Sequence, residues 1–174
     1  SSVGNTPLIE AFEKQVAAAP QRTAVICAEQ SVSFRQLAER SDALARELNQ
    51  AGIGNGDFVG IGLDRSIHLI VALLGILKSG AAYIPIDPAY PAARISHIVS
   101  SSGLKRIVTN RTFADRFSMS EPLLVDSLES DEAFQRTPNK ADDFIYAIFT
   151  SGSTGLAKAA SVYHKGFVNL VAWY

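Results

Sequence analysis

Cysteine is nearly absent from this chain of 174 residues, which has Cys27 alone beside three scattered histidines. One thiol cannot form an internal disulfide, and this set of sulfur and imidazole groups lacks the spacing of a zinc site. The sequence therefore excludes a disulfide framework and a zinc module, and we predict no metal ligand. A reducing, cytoplasmic location is expected.

An excess of charge of one sign is also missing. The chain has 16 basic and 17 acidic residues, which gives a net charge of -1. Without a basic patch or a polybasic segment, we expect neither a nucleic acid nor a membrane surface as a partner. Hydrophobic residues make up 47% of the sequence, enough for one globular domain with a core.

Long hydrophobic runs are lacking as well. The most apolar segment, Ile67–Leu77, contains His68 and is shorter than the ~20 residues of a membrane-spanning helix. The first fifteen residues have no basic stretch followed by an apolar run, so we expect no signal peptide. Ile67–Leu77 is predicted to be a helix buried inside the protein.

The N-terminal part of the sequence predicts a helix, a hairpin and a second helix. Apolar residues spaced three and four apart favour a helix over Leu8–Ala18. Two short apolar runs, Ala24–Ala28 and Val32–Phe34, favour a hairpin. Ser33 then begins a helix, because its hydroxyl can cap the amide of Gln36 while the Gln36 side chain reaches back.

Beyond Gly52, which suits the C-terminal cap of that helix, strand and helix patterns alternate every ten to fifteen residues. This alternation is typical of βαβ units, so we predict an α/β fold with a mostly parallel sheet flanked by helices. The predicted elements are strand Phe58–Leu63, helix Ser66–Lys78, strand Ala82–Ile86, helix Pro91–Ser101, strand Arg106–Thr109, a weaker helix Thr112–Phe117 and a short strand Leu123–Val125.

The most informative segment is the apolar run Phe144–Phe149, a predicted buried strand, followed by a loop of hydroxyls and glycines that ends in lysine. Glycines let backbone amides approach a ligand, hydroxyls donate hydrogen bonds and lysine adds positive charge, an inventory that suits a polyphosphate. A solvated Ser/Gly loop without function is the alternative. The spacing is not that of a Walker loop. The predicted binding residues are Thr150, Ser151, Gly152, Ser153, Thr154, Gly155 and Lys158.

This loop closely resembles the phosphate loop of the adenylate-forming superfamily, which includes acyl-CoA synthetases and firefly luciferase. The segment Leu77–Pro91, here called the signature segment, is similar to a motif of the amino-acid adenylation domains of nonribosomal peptide synthetases. The sequence departs from that family beside Lys158, where Ala157 and Ala159 replace the usual proline and glycine. That change puts the conformation of the loop after Gly155 in question.

The resemblance implies that residues 1–174 are the N-terminal portion of the large subdomain of an adenylation domain. The intact enzyme would use ATP and Mg²⁺ to form an aminoacyl adenylate and pyrophosphate, with the loop on the β- and γ-phosphates. It would then transfer the aminoacyl group to the phosphopantetheine thiol of a peptidyl carrier protein. The implied partners are the remainder of the domain, the amino acid and the carrier, with a small accessory protein left open.

No catalytic residue is carried over to this chain, because the family's substrate pocket and catalytic lysine would lie beyond Tyr174. Two alternatives stay open: a non-catalytic scaffold that keeps the fold, and a related acyl or aryl acid ligase. His164 is better explained as a capping or packing residue than as a ligand. Asp64 and Arg65 are most simply turn-forming charges at the surface, and Asp87 and Arg94 are most simply an ion pair or caps.

Overall fold

The computed structural model describes residues 6–27, 30–128, 135–136 and 146–147. The helices are α1 (Thr6–Ala18), α2 (Phe34–Gln50), α3 (Ile67–Ser79) and α4 (Ala92–Ser102), with two 3-10 segments, Ala114–Ser120 and Val125–Ser127. The strands are β1 (Thr23–Cys27), β2 (Gln30–Ser33), β3 (Phe58–Ile61), β4 (Ala82–Pro85), β5 (Arg106–Thr109), β6 (Leu123–Leu124), β7 (Gln135–Arg136) and β8 (Tyr146–Ala147).

The strands form two sheets. β1 and β2 make the predicted hairpin, and β7 and β8 extend it into an antiparallel sheet of order β7-β2-β1-β8. The second sheet has the order β4-β3-β5-β6, and all its pairs are parallel. The predicted α/β fold with a parallel sheet is therefore confirmed. The antiparallel sheet is an addition that the alternation of elements did not predict.

Helix α3 lies at the centre of the described structure. Its residues are buried except for His68 and Lys78, which are half-buried, so the prediction of an internal helix is confirmed. α3 contacts strands of both sheets and packs along α2. The two helices approach closely at Gly75, where an added Cβ would lie 2.6 Å from Leu44 Cδ2.

Local capping chemistry sets the ends of α2. Ser33 Oγ accepts a hydrogen bond from Gln36 N at 3.1 Å, and Gln36 Oε1 accepts one from Ser33 N at 2.9 Å, which is the predicted capping box. At the other end Gly52 adopts a φ of 83°, and Ile53 N donates to Leu48 O at 3.0 Å. This left-handed exit stops the helix where the glycine predicted it.

A polar contact inside the fold joins three helices. Lys78 Nζ on α3 donates to Ser41 Oγ and Asp42 Oδ1 on α2, both at 2.8 Å, and lies 4.9 Å from the ring centroid of Phe12 on α1. The lysine side chain is 8% exposed. A largely buried ammonium group needs such partners, so this lysine of the signature segment has a packing role.

The connection after β5 differs from the prediction. A helix was expected over Thr112–Phe117, but the chain forms the 3-10 segment Ala114–Ser120, with non-helical dihedral angles at Phe117 (φ -124°, ψ 17°). Tertiary packing overrides the local helical tendency here, because the Phe117 ring is fully buried in a cluster with residues of other elements. The strand predicted over Leu123–Val125 is present in shorter form as β6.

Candidate functional site

The predicted phosphate loop, with all seven of its binding residues, lies outside the described residues. The strand that leads to it is described in part, because Tyr146 and Ala147 form β8. This strand pairs antiparallel with β1, with Tyr146 opposite Ile26 and Ala147 opposite Val25. The loop begins three residues after β8 in the sequence. β8 therefore confirms a strand ahead of the loop and attaches that strand to the N-terminal hairpin.

The last residue of β1, Cys27, lies near the loop between β3 and α3. The Cys27 thiol lies 4.0 Å from the backbone oxygen of Arg65, just after β3. Burial raises the pKa of the Cys27 thiol, an effect that the nearby Arg65 charge only partly opposes. Cys27 is thus a protonated thiol at neutral pH that packs against the core, and it has no character of an activated nucleophile.

Open parallel sheets commonly bind ligands at the edge where their strands end, between the two strands at which the strand order reverses. In this sheet those strands are β3 and β5. Gly62 N donates to Val108 O at 2.8 Å, and Thr109 Oγ1 donates to Gly62 O at 2.6 Å. A Cβ on Gly62 would lie 2.4 Å from two carbons of the Phe117 ring. The Phe117 ring therefore packs against the backbone at Gly62 and leaves no room there for a side chain.

The polar residues after β3 have structural partners. Ser66 Oγ accepts from Leu69 N at 3.3 Å as the N-cap of α3, and the same hydroxyl donates to the backbone oxygen of Asp64 at 3.2 Å. The side chains of Asp64 and Arg65 are exposed. The prediction that these two charges belong to a surface turn is therefore confirmed.

The turn Asp87–Tyr90, in the signature segment, follows β4 at the same edge of the sheet. Asp87 Oδ1 accepts from Ala89 N at 2.9 Å, so the carboxylate acts as a turn cap. The guanidinium carbon of Arg94 lies 3.9 Å from the ring centroid of Tyr90. Of the two roles that the sequence left open for Asp87, a cap or an ion-pair partner, the structure shows the cap.

Arg116 also holds this turn, a role that no sequence pattern indicated. Its Nε donates to Pro88 O at 3.1 Å, and its Nη2 donates to Tyr90 O at 2.5 Å. The arginine is 26 and 28 residues away from these acceptors, beyond the range over which helix caps and turns are recognised from sequence.

No residue can be assigned to Mg²⁺ from the described part of the chain. Within it, no group of three or more His, Cys, Asp or Glu side chains is placed to hold a metal ion. The hydroxyls that the family resemblance associates with the phosphates of ATP lie in the loop outside this part. Among the described helices, none has both the length and the apolar character needed to cross a membrane.

Comparisons with known proteins identify the family. A sequence profile described as AMP-binding enzyme matches residues 12–174. The chain belongs to the AMP-binding enzyme family. It is 36% identical over 174 residues to zwittermicin A synthase ZmaJ of Bacillus cereus, covering 97% of this chain and 33% of that protein. Its identity to gramicidin S synthase 2 of Brevibacillus brevis is 38% over 164 residues, covering 92% of this chain and 4% of that protein.

The solved structure of the nonribosomal peptide synthetase FmoA3 with bound alpha-methyl-L-serine-AMP is similar in fold. Its TM-score is 0.67 and its identity 26%, over 72% of this chain and 15% of that chain. The resemblance of this AMP-binding family member to peptide-synthetase adenylation domains is thereby confirmed. The chain spans a third or less of the length of the two curated relatives. The seven loop residues remain predictions.

Proposed function

We propose that this chain is the N-terminal part of an adenylation domain that activates an amino acid with ATP in nonribosomal peptide synthesis. The observation that carries the proposal is the family match over residues 12–174, which includes the Thr150–Lys158 loop. The strand β8 precedes this loop by three residues in the sequence. A strand followed by glycines, hydroxyls and a lysine is an arrangement that suits a polyphosphate.

In this proposal the loop binds the β- and γ-phosphates of ATP, which leave as pyrophosphate. The backbone amides near Gly152 and Gly155 donate to phosphate oxygens, as do the hydroxyls of Thr150, Ser151, Ser153 and Thr154, while Lys158 offsets the negative charge of the phosphates. Reactions at phosphorus depend mainly on positioning and on charge stabilisation of this kind. Bound Mg²⁺ would neutralise further phosphate charge. The reacting carboxylate would be held by parts of the enzyme outside this chain.

An amino acid is the proposed substrate class. FmoA3, to which this chain is similar in fold, is a nonribosomal peptide synthetase that holds an amino acid linked to AMP. The same reasoning extends to the partners: the remainder of the domain, a peptidyl carrier protein with its phosphopantetheine thiol, and a small accessory protein where the enzyme needs one. A cytoplasmic location completes the proposal.

The test is amino-acid-dependent exchange of labelled pyrophosphate into ATP by the intact enzyme. The twenty standard amino acids are assayed beside aryl acids and medium-chain fatty acids, with and without Mg²⁺. We expect exchange with one amino acid or a few related ones. Exchange with aryl or fatty acids alone would establish the related acid ligase instead, and no exchange with any acid would favour the non-catalytic scaffold.

A further inference from the structure

The signature segment ends in a turn whose backbone is held by a residue from another part of the chain. The turn Asp87–Tyr90 follows β4, and the 3-10 segment Ala114–Ser120 follows β5, so both lie where the parallel strands end. The turn's own bonds connect Asp87 to Ala89 N, at 2.9 Å, and to Tyr90 N, at 3.0 Å. These bonds close the turn but do not attach it to the sheet.

Arg116 supplies that attachment. Its guanidinium donates to Pro88 O at 3.1 Å and to Tyr90 O at 2.5 Å. A guanidinium is planar and its donors point in fixed directions, so two acceptors in one turn fix both the position and the tilt of that turn. Lysine has a single flexible ammonium group and lacks this property.

The arginine is itself held firmly. Arg116 N donates to Phe113 O at 2.9 Å, and the next residue, Phe117, is fully buried. The Phe117 ring packs directly against Gly62, just after β3. The turn is therefore attached through Arg116 and Phe117 to the central part of the parallel sheet. The stacking of Arg94 on the Tyr90 ring does not contact the turn's backbone oxygens.

We propose that Arg116 is a positioning residue of the enzyme, which holds the Asp87–Tyr90 turn in one conformation at the end of the sheet where α/β proteins place ligands. The consequence for catalysis rests on the proposed function. The consequence for the conformation of the turn does not, because it follows from the two hydrogen bonds alone.

Hydrogen exchange of the intact synthetase tests the conformational part. In Arg116→Ala, we expect peptides covering residues 86–92 to exchange about tenfold faster or more, while peptides from β3 and β5 keep their protection. Arg116→Lys should give an intermediate rate. Arg111→Ala removes an exposed arginine from the same connection and serves as the matched control. Arg94→Ala should also leave the turn protected. Unchanged exchange in Arg116→Ala, or equal acceleration throughout the sheet, would overturn the proposal.

Pyrophosphate exchange by the same variants tests the catalytic part. We expect Arg116→Ala to lower kcat/KM about two- to thirtyfold, a range that residues without direct ligand contact can produce, with partial recovery in Arg116→Lys and no loss in Arg111→Ala. A mobile turn with unchanged kcat/KM would overturn the role in catalysis. A wild-type enzyme that is inactive with every acid would refute the proposed function. The hydrogen-exchange rates of the turn would still decide whether Arg116 holds it in one conformation.

Discussion

Lys158 carries the only charge that the sequence places in the Thr150–Lys158 loop. In the complete enzyme we expect Lys158→Ala to slow pyrophosphate exchange roughly ten- to hundredfold. A hydrogen bond between charged groups is worth about 1.5–3 kcal/mol when it is made fully in the transition state. Substitution of a surface loop residue usually changes stability by no more than about 0.5 kcal/mol. Measuring the pyrophosphate-exchange rate and the melting temperature of the same variant separates a loss of activity from a loss of stability.

Ser151→Ala and the double variant complete this experiment. If the hydroxyl and the ammonium group bind the same phosphates, their effects on the exchange rate will be non-additive. Unchanged rates in Lys158→Ala, or a loss of rate matched by unfolding, would return the loop to the alternative of a solvated turn. Lys105, an exposed lysine in the connection before β5, provides the control through Lys105→Ala.

Tyr83 makes stability depend on pH in the alkaline range. Burial raises the pKa of its hydroxyl from the ordinary value of 10.0 to about 12. Between these values the unfolded chain releases the proton and the folded chain keeps it, so deprotonation favours unfolding. The contribution of Tyr83 to the free energy of unfolding is fully present below pH 10 and declines as the pH rises towards 12.

We therefore expect the urea midpoint of the complete domain to fall more steeply between pH 9.5 and about 11.5 in the wild type than in Tyr83→Phe. Tyr90→Phe is the comparison, since the Tyr90 ring lies under the guanidinium of Arg94 near the surface. Parallel pH profiles for the wild type and Tyr83→Phe would contradict the expectation.

At the scale of elements, the contact between α2 and α3 depends on a glycine. An alanine Cβ at position 75 would lie 2.6–2.8 Å from three side-chain atoms of Leu44, closer than packed carbon atoms tolerate. Gly75→Ala should destabilise the domain by about 1–2 kcal/mol. Overpacking costs about 1–3 kcal/mol, and the better helix propensity of alanine offsets up to about 1 kcal/mol of that.

Chemical unfolding of Gly75→Ala, Leu44→Ala and the double variant measures this effect. Removing the Leu44 side chain provides room for the new methyl group, so the double variant should lose less stability than the sum of the single ones. Gly52→Ala is a useful contrast, because no atom lies within 4 Å of its added Cβ and its cost arises from the φ of 83°. Additive losses for positions 44 and 75 would show that the helices adjust without strain.

At the scale of the whole molecule, we expect the 174-residue chain by itself to be silent in pyrophosphate exchange. The loop provides contacts to the phosphates only, and the acid-binding pocket is attributed to the rest of the domain. The intact enzyme is the positive control for the assay. Amino-acid-dependent exchange by the isolated chain would show that this division of the site is wrong.

The isolated chain is also expected to associate and to bind hydrophobic dyes. The run Phe144–Phe149 has the continuous apolar character of a strand covered on both faces. Within this run, β8 is an edge strand of the antiparallel sheet as far as it is described. Size-exclusion chromatography with a dye-binding assay measures both properties. A monomer that binds no dye would contradict the idea that further parts of the enzyme cover this strand.

Much of this fold could be predicted because its signals are local. Ser33 and Gln36 define the start of α2 through contacts three residues apart, and Gly52 ends it through its own backbone conformation. The alternation from Phe58 to Thr109 specifies βαβ units, since parallel strands need a crossover helix. The phosphate loop is predicted in the same way, from residue types that are adjacent in the chain, and it remains a prediction.

Other features of the fold were decided only by tertiary contacts between residues far apart in the sequence. Local spacing favoured a helix up to Phe117, but packing of its ring against Gly62 imposes a 3-10 segment with a kink. The attachment of β8 to the N-terminal hairpin and of Arg116 to the turn after β4 joins segments more than twenty residues apart. Sequence alone determined the family and most of the helices and strands, because caps, turns and motifs act within a few residues. The tertiary structure decided which elements meet, because the energy of burial depends on the whole chain.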